Sequence, residues 1–157
     1  ANPSSLGVAL SLRAALSRAR GKYIAILNDD DLWKPEFLAR LVAPLEADAS
    51  RVLAFCDHAI IDAEGRIDKA ATDRNTERFG RSGLPEGRIA DPKAFVLQQN
   101  GVPLAMGAIF RAAALSPERL VTEVAGAYDF WMSSLMARAS ASLTTRSRSP
   151  PRALPQE

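Results

Sequence analysis

Residues 23–27, Tyr-Ile-Ala-Ile-Leu, form an unbroken apolar run of strand length that ends directly against Asn28 and three consecutive aspartates, Asp29, Asp30 and Asp31. No polar residue alternates within the run, so the pattern predicts a strand covered on both faces, as in an α/β sheet. Such a strand delivers the aspartates to its carboxyl end, where ligands gather in open α/β sheets because loops converge over an apolar scaffold. Like charges at adjacent positions repel, more strongly when partly withdrawn from water, and a bound cation relieves the repulsion. Hard carboxylate oxygens suit Mg²⁺ or Mn²⁺, which keep several waters and grip substrate phosphates as well as protein. The alternative is a solvated loop in which Asp30 or Asp31 simply caps the next helix.

The flanking segments extend the α/β pattern. Leu12, Ala15, Leu16 and Ala19 fall at helical spacing before Gly21, which predicts a helix over about 8–20. Pro35 suits the first turn of a second helix with Leu38, Leu41, Val42 and Leu45 on its apolar face, and Pro44 is expected to disturb its last turn. Residues 51–62 read as a second strand closed by the turn Asp62-Ala63-Glu64-Gly65. Residues 66–90 are polar, Gly-rich and without periodicity, which predicts a long loop of the kind that covers a site. A short helix from Asp91-Pro92, a strand over 103–110 and a last helix beginning near Asp129 complete the pattern. The order predicts a layered α/β domain with some parallel strand pairing.

Length and charge bound the rest. A chain of 157 residues with 47% hydrophobic and 24% charged residues is long enough for one real core and too short to expect two. A net charge of +2 is too small to mark a polyanion-binding surface, so nucleic acid is not an expected partner. Cys56 is the only cysteine and His58 the only histidine, which excludes an intrachain disulfide and argues against a zinc site; Cys56 is expected as a small core residue in a reducing compartment. No apolar stretch is long enough to cross a bilayer and the N-terminus lacks the layout of a signal peptide. The expected location is cytoplasmic, at most peripheral to a membrane on its cytoplasmic face through a longer parent protein.

The stretch Gly21 to Val42, "GKYIAILNDDDLWKPEFLARLV", resembles the central segment of family-2 inverting glycosyltransferases of the GT-A fold: a helix ending in Ala-x-Gly, a strand, an Asp-x-Asp motif, an apolar residue, Trp, and a helix after Pro. "NPSSLGVALSLRAALSRARG" is similar to the family's preceding helix, "VLAFCDHAIIDAEGRI" to the next strand and turn, "GAIFRAAAL" to the strand feeding the acceptor region, and "GAYDFWMSSLMA" to the helix whose opening acid serves as base. The resemblance covers about residues 2–140. It implies an α/β, GT-A-like (nucleotide-diphospho-sugar transferase) layered sheet flanked by helices, with residues 1–143 a GT-A domain incomplete at its N-terminus and residues 144–157 a disordered tail. The strand-helix-strand unit that reads the nucleotide base in the family is expected to precede Ala1, so the isolated chain is expected to bind donors poorly.

Carried over by residue, the resemblance puts Asn28, Asp29 and Asp30 at the Asp-x-Asp positions that bind the nucleotide-sugar cofactor, with Asn28 replacing the usual first acid. Asp30 is then the metal ligand, with Asp31 in support, for Mn²⁺ or Mg²⁺. Asp129 falls at the catalytic base and Tyr128 stands where the family often has Glu; a helix cap is the other role open to Asp129. Arg13 and Ala15 replace a common Asn and Gly, which alters the pyrophosphate side. The implied activity is metal-dependent transfer of a sugar from a nucleoside diphosphate sugar to an acceptor hydroxyl, on a glycan, a lipid or another molecule, with inversion. Two other readings compete. One is a non-catalytic domain that keeps only the metal and acceptor half; the other is Mg²⁺-dependent phosphoryl transfer, which would want an aspartate nucleophile on the first strand and a lysine at a later strand end. Trp33 could stack on a sugar or pack on the core edge.

Overall fold

Alternate residues of a strand point to opposite faces of its sheet, and in the two central strands both sets are apolar. In β2 (Leu53–Cys56), Leu53 and Phe55 enter one core while Ala54 enters a second; in β4 (Ala108–Arg111), Ala108 and Phe110 join the first and Ile109 the second. A strand pair with two apolar faces needs helices on both. The computed structural model, which describes residues 7–119, 127–139 and 143–146, supplies them. One face is covered by α2 (Phe37–Ala47) through Phe37, Leu41 and Leu45. The other is covered by α4 (Pro92–Gln99) and α6 (Tyr128–Ala139) through Phe95, Val96, Met132, Leu135 and Met136, with Leu16 of α1 (Gly7–Arg18) at the margin. The Phe55 and Phe95 rings stack at 5.6 Å.

The sheet has five strands among the described residues, in the order β1-β4-β2-β5-β3, where β1 is Tyr23–Ala25, β3 is Gly87–Arg88 and β5 is Leu143–Arg146. β2 and β5 run parallel and the other neighbours antiparallel, with Ala54 opposite both Ile109 and Thr144. This is the expected class, a GT-A-like layered α/β sheet flanked by helices. Arg111 fastens its first edge. Its guanidinium donates to the Arg51 carbonyl at 2.7 Å and the Asp48 carbonyl at 3.3 Å, to the Leu45 carbonyl, and to the Tyr23 hydroxyl at 3.2 Å, which joins β4 and β1 to the end of α2 where carbonyls lack helical partners.

Several expectations need correction. β1 is half-buried rather than covered on both faces, because it is an edge strand with β4 as its partner. Residues 66–90 are not one loop: they contain α3 (Lys69–Arg78) and β3. Only Thr72 of α3 is buried, so the helix has no apolar stripe to betray its period; its start is fixed by Asp68, whose carboxylate accepts the Ala71 N–H at 2.8 Å. Residues 103–110 divide into a helical turn, α5 (Leu104–Gly107), and β4, with the Met106 and Gly107 N–H groups both donating to the Pro103 carbonyl. The tail expected from Thr144 starts instead with β5, whose Thr144 is buried and donates its hydroxyl to the Gly87 carbonyl at 2.9 Å; residues 147–157 lie outside the described residues. Pro44 sits buried inside α2, which continues to Ala47. No helix among the described residues is long and apolar enough to cross a membrane.

Candidate functional site

At the carboxyl end of β1 the chain turns through Asp29 and Asp30, with the Asp31 N–H reaching back to the Asn28 carbonyl at 3.4 Å. The Asn28 side-chain amide donates to the Asp31 carboxylate at 2.9 Å, so two of the four residues hold each other across the turn. Asp29 and Asp30 are exposed and bond to no other described residue. The residue before α2 is Glu36, not Asp30 or Asp31, and its own side chain makes no capping bond.

The second acidic position lies on α6. Asp129 occupies the first turn, where a negative charge meets the positive end of the helix, and its carboxylate accepts the N–H of Phe130 at 2.8 Å. Tyr128, one residue earlier, reports how this helix end sits relative to the acidic turn. Burial pushes its phenol above the ordinary value, and the negative charges of Asp129 and Asp31 push it further in the same direction. Asp31 and Asp129 therefore bear on one hydroxyl from two elements far apart in sequence.

Asp57, at the end of β2, is the next acid along the sheet edge, and its surroundings differ. One carboxylate oxygen accepts the Arg81 Nε–H at 2.8 Å and the other the Thr76 hydroxyl at 2.6 Å. The Arg81 side chain is 3% exposed, donates to the Gly101 carbonyl at 3.3 Å, and also bonds Asn75 Oδ1. Gly101 has to be glycine at this junction, since a Cβ there would lie 2.2 Å from the Phe95 ring. With a donor on each oxygen, Asp57 is a structural anchor that ties α3 to the end of β2. Sequence reasoning passed over Arg81 because its partner is 24 positions away.

Between the start of α2, the end of β2 and the hairpin closed by the Ile61–Ile67 bridge lies a cleft of about 290 Å³. Asp31 is among the residues that line it, so the cleft touches the acidic turn. Trp33, Phe37, Leu41 and Met106 form much of its wall. The Trp33 indole stacks on Phe37 at 4.5 Å and donates its N–H to the Met106 carbonyl at 3.1 Å, which settles its packing role. Cys56 and His58 also border this cleft; Cys56 is half-buried there rather than sunk in the core.

Among the described residues no group of three or more His, Cys, Asp or Glu side chains converges on a point. The acidic turn offers the two exposed carboxylates of Asp29 and Asp30. That donor set fits a cation which keeps part of its water shell and takes further oxygens from a diphosphate, as Mg²⁺ and Mn²⁺ do, and does not fit a cation caged by protein.

The family model described as glycosyl transferase family 2 matches residues 1–102, a span that holds the acidic turn, both walls of the cleft formed by α2 and β2, and the Asp57–Arg81 pair. No curated protein and no solved structure matches the chain.

Proposed function

The chain belongs to glycosyl transferase family 2, and from that premise we propose that it takes part in transferring a sugar from a nucleoside diphosphate sugar to an acceptor hydroxyl with inversion at the anomeric carbon. The family match over residues 1–102 carries the proposal, together with the exposed Asp29 and Asp30 that lie inside that span at the end of β1; the raised Tyr128 phenol, on which Asp129 and Asp31 both act after burial, agrees with one site bounded by the acidic turn and α6. Asp30, with help from Asp31, would hold Mn²⁺ or Mg²⁺ in that site, where the cation would neutralise charge on the leaving diphosphate. Asn28 locks Asp31 in place through its amide and leaves the exposed Asp29 and Asp30 to face the donor.

Asp129 would accept the proton of the attacking hydroxyl in a single displacement. Its position beyond the matched span makes it the residue whose role most needs a direct test. Tyr128 is neutral like any tyrosine at neutral pH, with burial and the Asp129 and Asp31 charges raising its phenol further, and can donate a hydrogen bond in the same place without competing for that proton. Neither step asks for a histidine or cysteine nucleophile.

Mn²⁺-induced water relaxation tests the metal half. Wild type should enhance relaxation and Asp30→Ala should lose most of the effect; equal enhancement by both would remove Asp30 from the site. Transferase turnover with a panel of nucleoside diphosphate sugars tests the base. Asp129→Asn keeps size and most helix-end polarity, so turnover should fall by roughly 10² to 10⁴ at nearly unchanged melting temperature. Near-wild-type turnover would reduce Asp129 to a helix-end residue.

A further inference from the structure

Trp33 makes a bond across the fold that packing alone does not ask for. Its ring belongs to the core on one face of the sheet, stacked on Phe37 at 4.5 Å, while its indole N–H donates at 3.1 Å to the carbonyl of Met106, 73 positions away. At a half-buried core edge water can take that hydrogen, so ring burial by itself requires no protein acceptor. The acceptor sits on α5, a single helical turn too short to satisfy its own last carbonyls.

That turn is firmly seated. A Cβ at Gly107 would lie 2.9 Å from the Cys56 carbonyl oxygen and 3.0 Å from the Pro103 ring, so α5 is pressed against the end of β2. Leu104, 1% exposed, places α5 in the core of the other sheet face together with Met132 and Met136 of α6, the helix it packs against. The indole therefore ties one layer of the molecule to the other.

The two ends of this connection are the two acidic elements. Asp31 of the acidic turn stands two residues before Trp33, and α6 opens with Tyr128 and Asp129. The Tyr128 phenol, raised by burial and then by the charges of Asp129 and Asp31, agrees with turn and helix facing one another. Carboxylates that serve one reaction have to keep their spacing, since a misplacement of about 1 Å can cost roughly 10²-fold in rate. A turn whose Asp29 and Asp30 stand in solvent does not hold that spacing by itself.

We propose that Trp33 is a positioning residue: through its bond to the Met106 carbonyl, the indole sets the separation of the acidic turn from the first turn of α6. That these are the metal and base ends of a transferase site rests on the reading above; that the indole fixes their separation does not.

The experiment keeps the two apart. A nitroxide on Asp30→Cys, in a Cys56→Ser background that leaves the label its only thiol, stands where the Asp30 carboxylate stands and needs no metal. Its broadening of the Phe130 and Ser134 backbone N–H resonances, read on the whole chain, falls steeply with distance. With Trp33 in place these amides should be broadened. Trp33→Phe keeps a ring on Phe37 and deletes the donor, and most of the broadening should be lost. Benzothienylalanine at position 33, with sulfur in place of the N–H, keeps the size of the indole and so holds the packing even where phenylalanine does not; it should give the same loss. Thr144→Val is the matched control, deleting another side-chain bond to a backbone carbonyl, the 2.9 Å donation to Gly87, and should leave the broadening as in the parent. No broadening in the parent, unchanged or stronger broadening with benzothienylalanine, or an equal loss in Thr144→Val would overturn the proposal. A loss with phenylalanine alone would assign the effect to ring volume and overturn it too. Mn²⁺ relaxation on the unlabelled chain stands apart: its failure beside an intact Trp33 effect would remove the metal reading and leave the positioning role.

Discussion

Two strand ends carry acids, and they are built in opposite ways. After β1, Asp29 and Asp30 stand in solvent with no described partner, while after β2, Asp57 has both carboxylate oxygens bonded and faces a guanidinium that is 3% exposed. The same residue type at the same kind of position thus does different work. An exposed, unbonded carboxylate has all its lone pairs to offer a cation or a substrate; the half-buried Asp57 has a donor on each oxygen and fastens α3 to the sheet. Oxygen availability separates a candidate ligand from a clamp here, and acidity as such does not.

The largest effect expected from this contrast is on stability. Arg81→Ala leaves the Asp57 carboxylate nearly buried without its counter-charge and strips a donor from Gly101, which should cost about 3–5 kcal/mol. Asp30→Ala removes an exposed side chain and should stay within about 0.5 kcal/mol of wild type. Urea unfolding of the two variants side by side checks both numbers. Equal destabilisation would erase the distinction between the two strand ends.

Sequence reasoning reached one of these ends and missed the inside of the other. Asn28 to Asp31 were legible because an apolar strand leads into them and helix signals follow, all within twenty residues. The clamp was not, because Asp57 meets Arg81 and Thr76 only after the chain has passed through a hairpin and α3. Helix α3 itself was hidden by its polarity, with periodicity absent wherever a helix buries only Thr72. Its signal lay in capping: Asp68 directly before Lys69-Ala70-Ala71 marks the start. The half-exposure of β1 was illegible for another reason, since neighbours across a sheet decide how much of an apolar run is covered. Strand β5 was masked by its Thr- and Arg-rich composition, although its register against β2 buries Thr144.

A smaller effect is expected inside the acidic turn. Asn28→Asp deletes the amide that donates to Asp31 at 2.9 Å and sets a second negative charge against it. Without metal the variant should lose about 0.5–1.5 kcal/mol, the ordinary worth of a hydrogen bond. With Mn²⁺ present the loss should shrink or reverse, because the added carboxylate becomes a ligand. Melting temperatures of wild type and variant, with Mn²⁺ and with a chelator, read the difference. A variant equally destabilised in both conditions would mean that Asn28 serves only to hold the turn.

The smallest effect comes from an acid that separates the two variables in the comparison, being exposed like Asp30 and bonded like Asp57. Asp62 accepts the Arg66 N–H and Nε–H, each at 2.9 Å, and the Glu64 N–H at 3.0 Å, and these bonds hold its carboxyl below the ordinary value of 3.8, the Arg66 backbone bond being the main cause. A depressed acid stabilises the fold above its unfolded pKa and loses that contribution as pH falls through the folded value. The 61–67 hairpin should therefore hold at neutral pH and loosen only below about pH 3.8. Backbone amide shifts of Glu64 and Arg66 across an acid titration should follow one ionisation, and Asp62→Asn should flatten it while keeping the acceptor oxygen. A titration in which these amides stay fixed while the acidic turn moves would show that bonding without burial does not anchor a carboxylate in this fold, and burial at Asp57 would then be the whole of the difference.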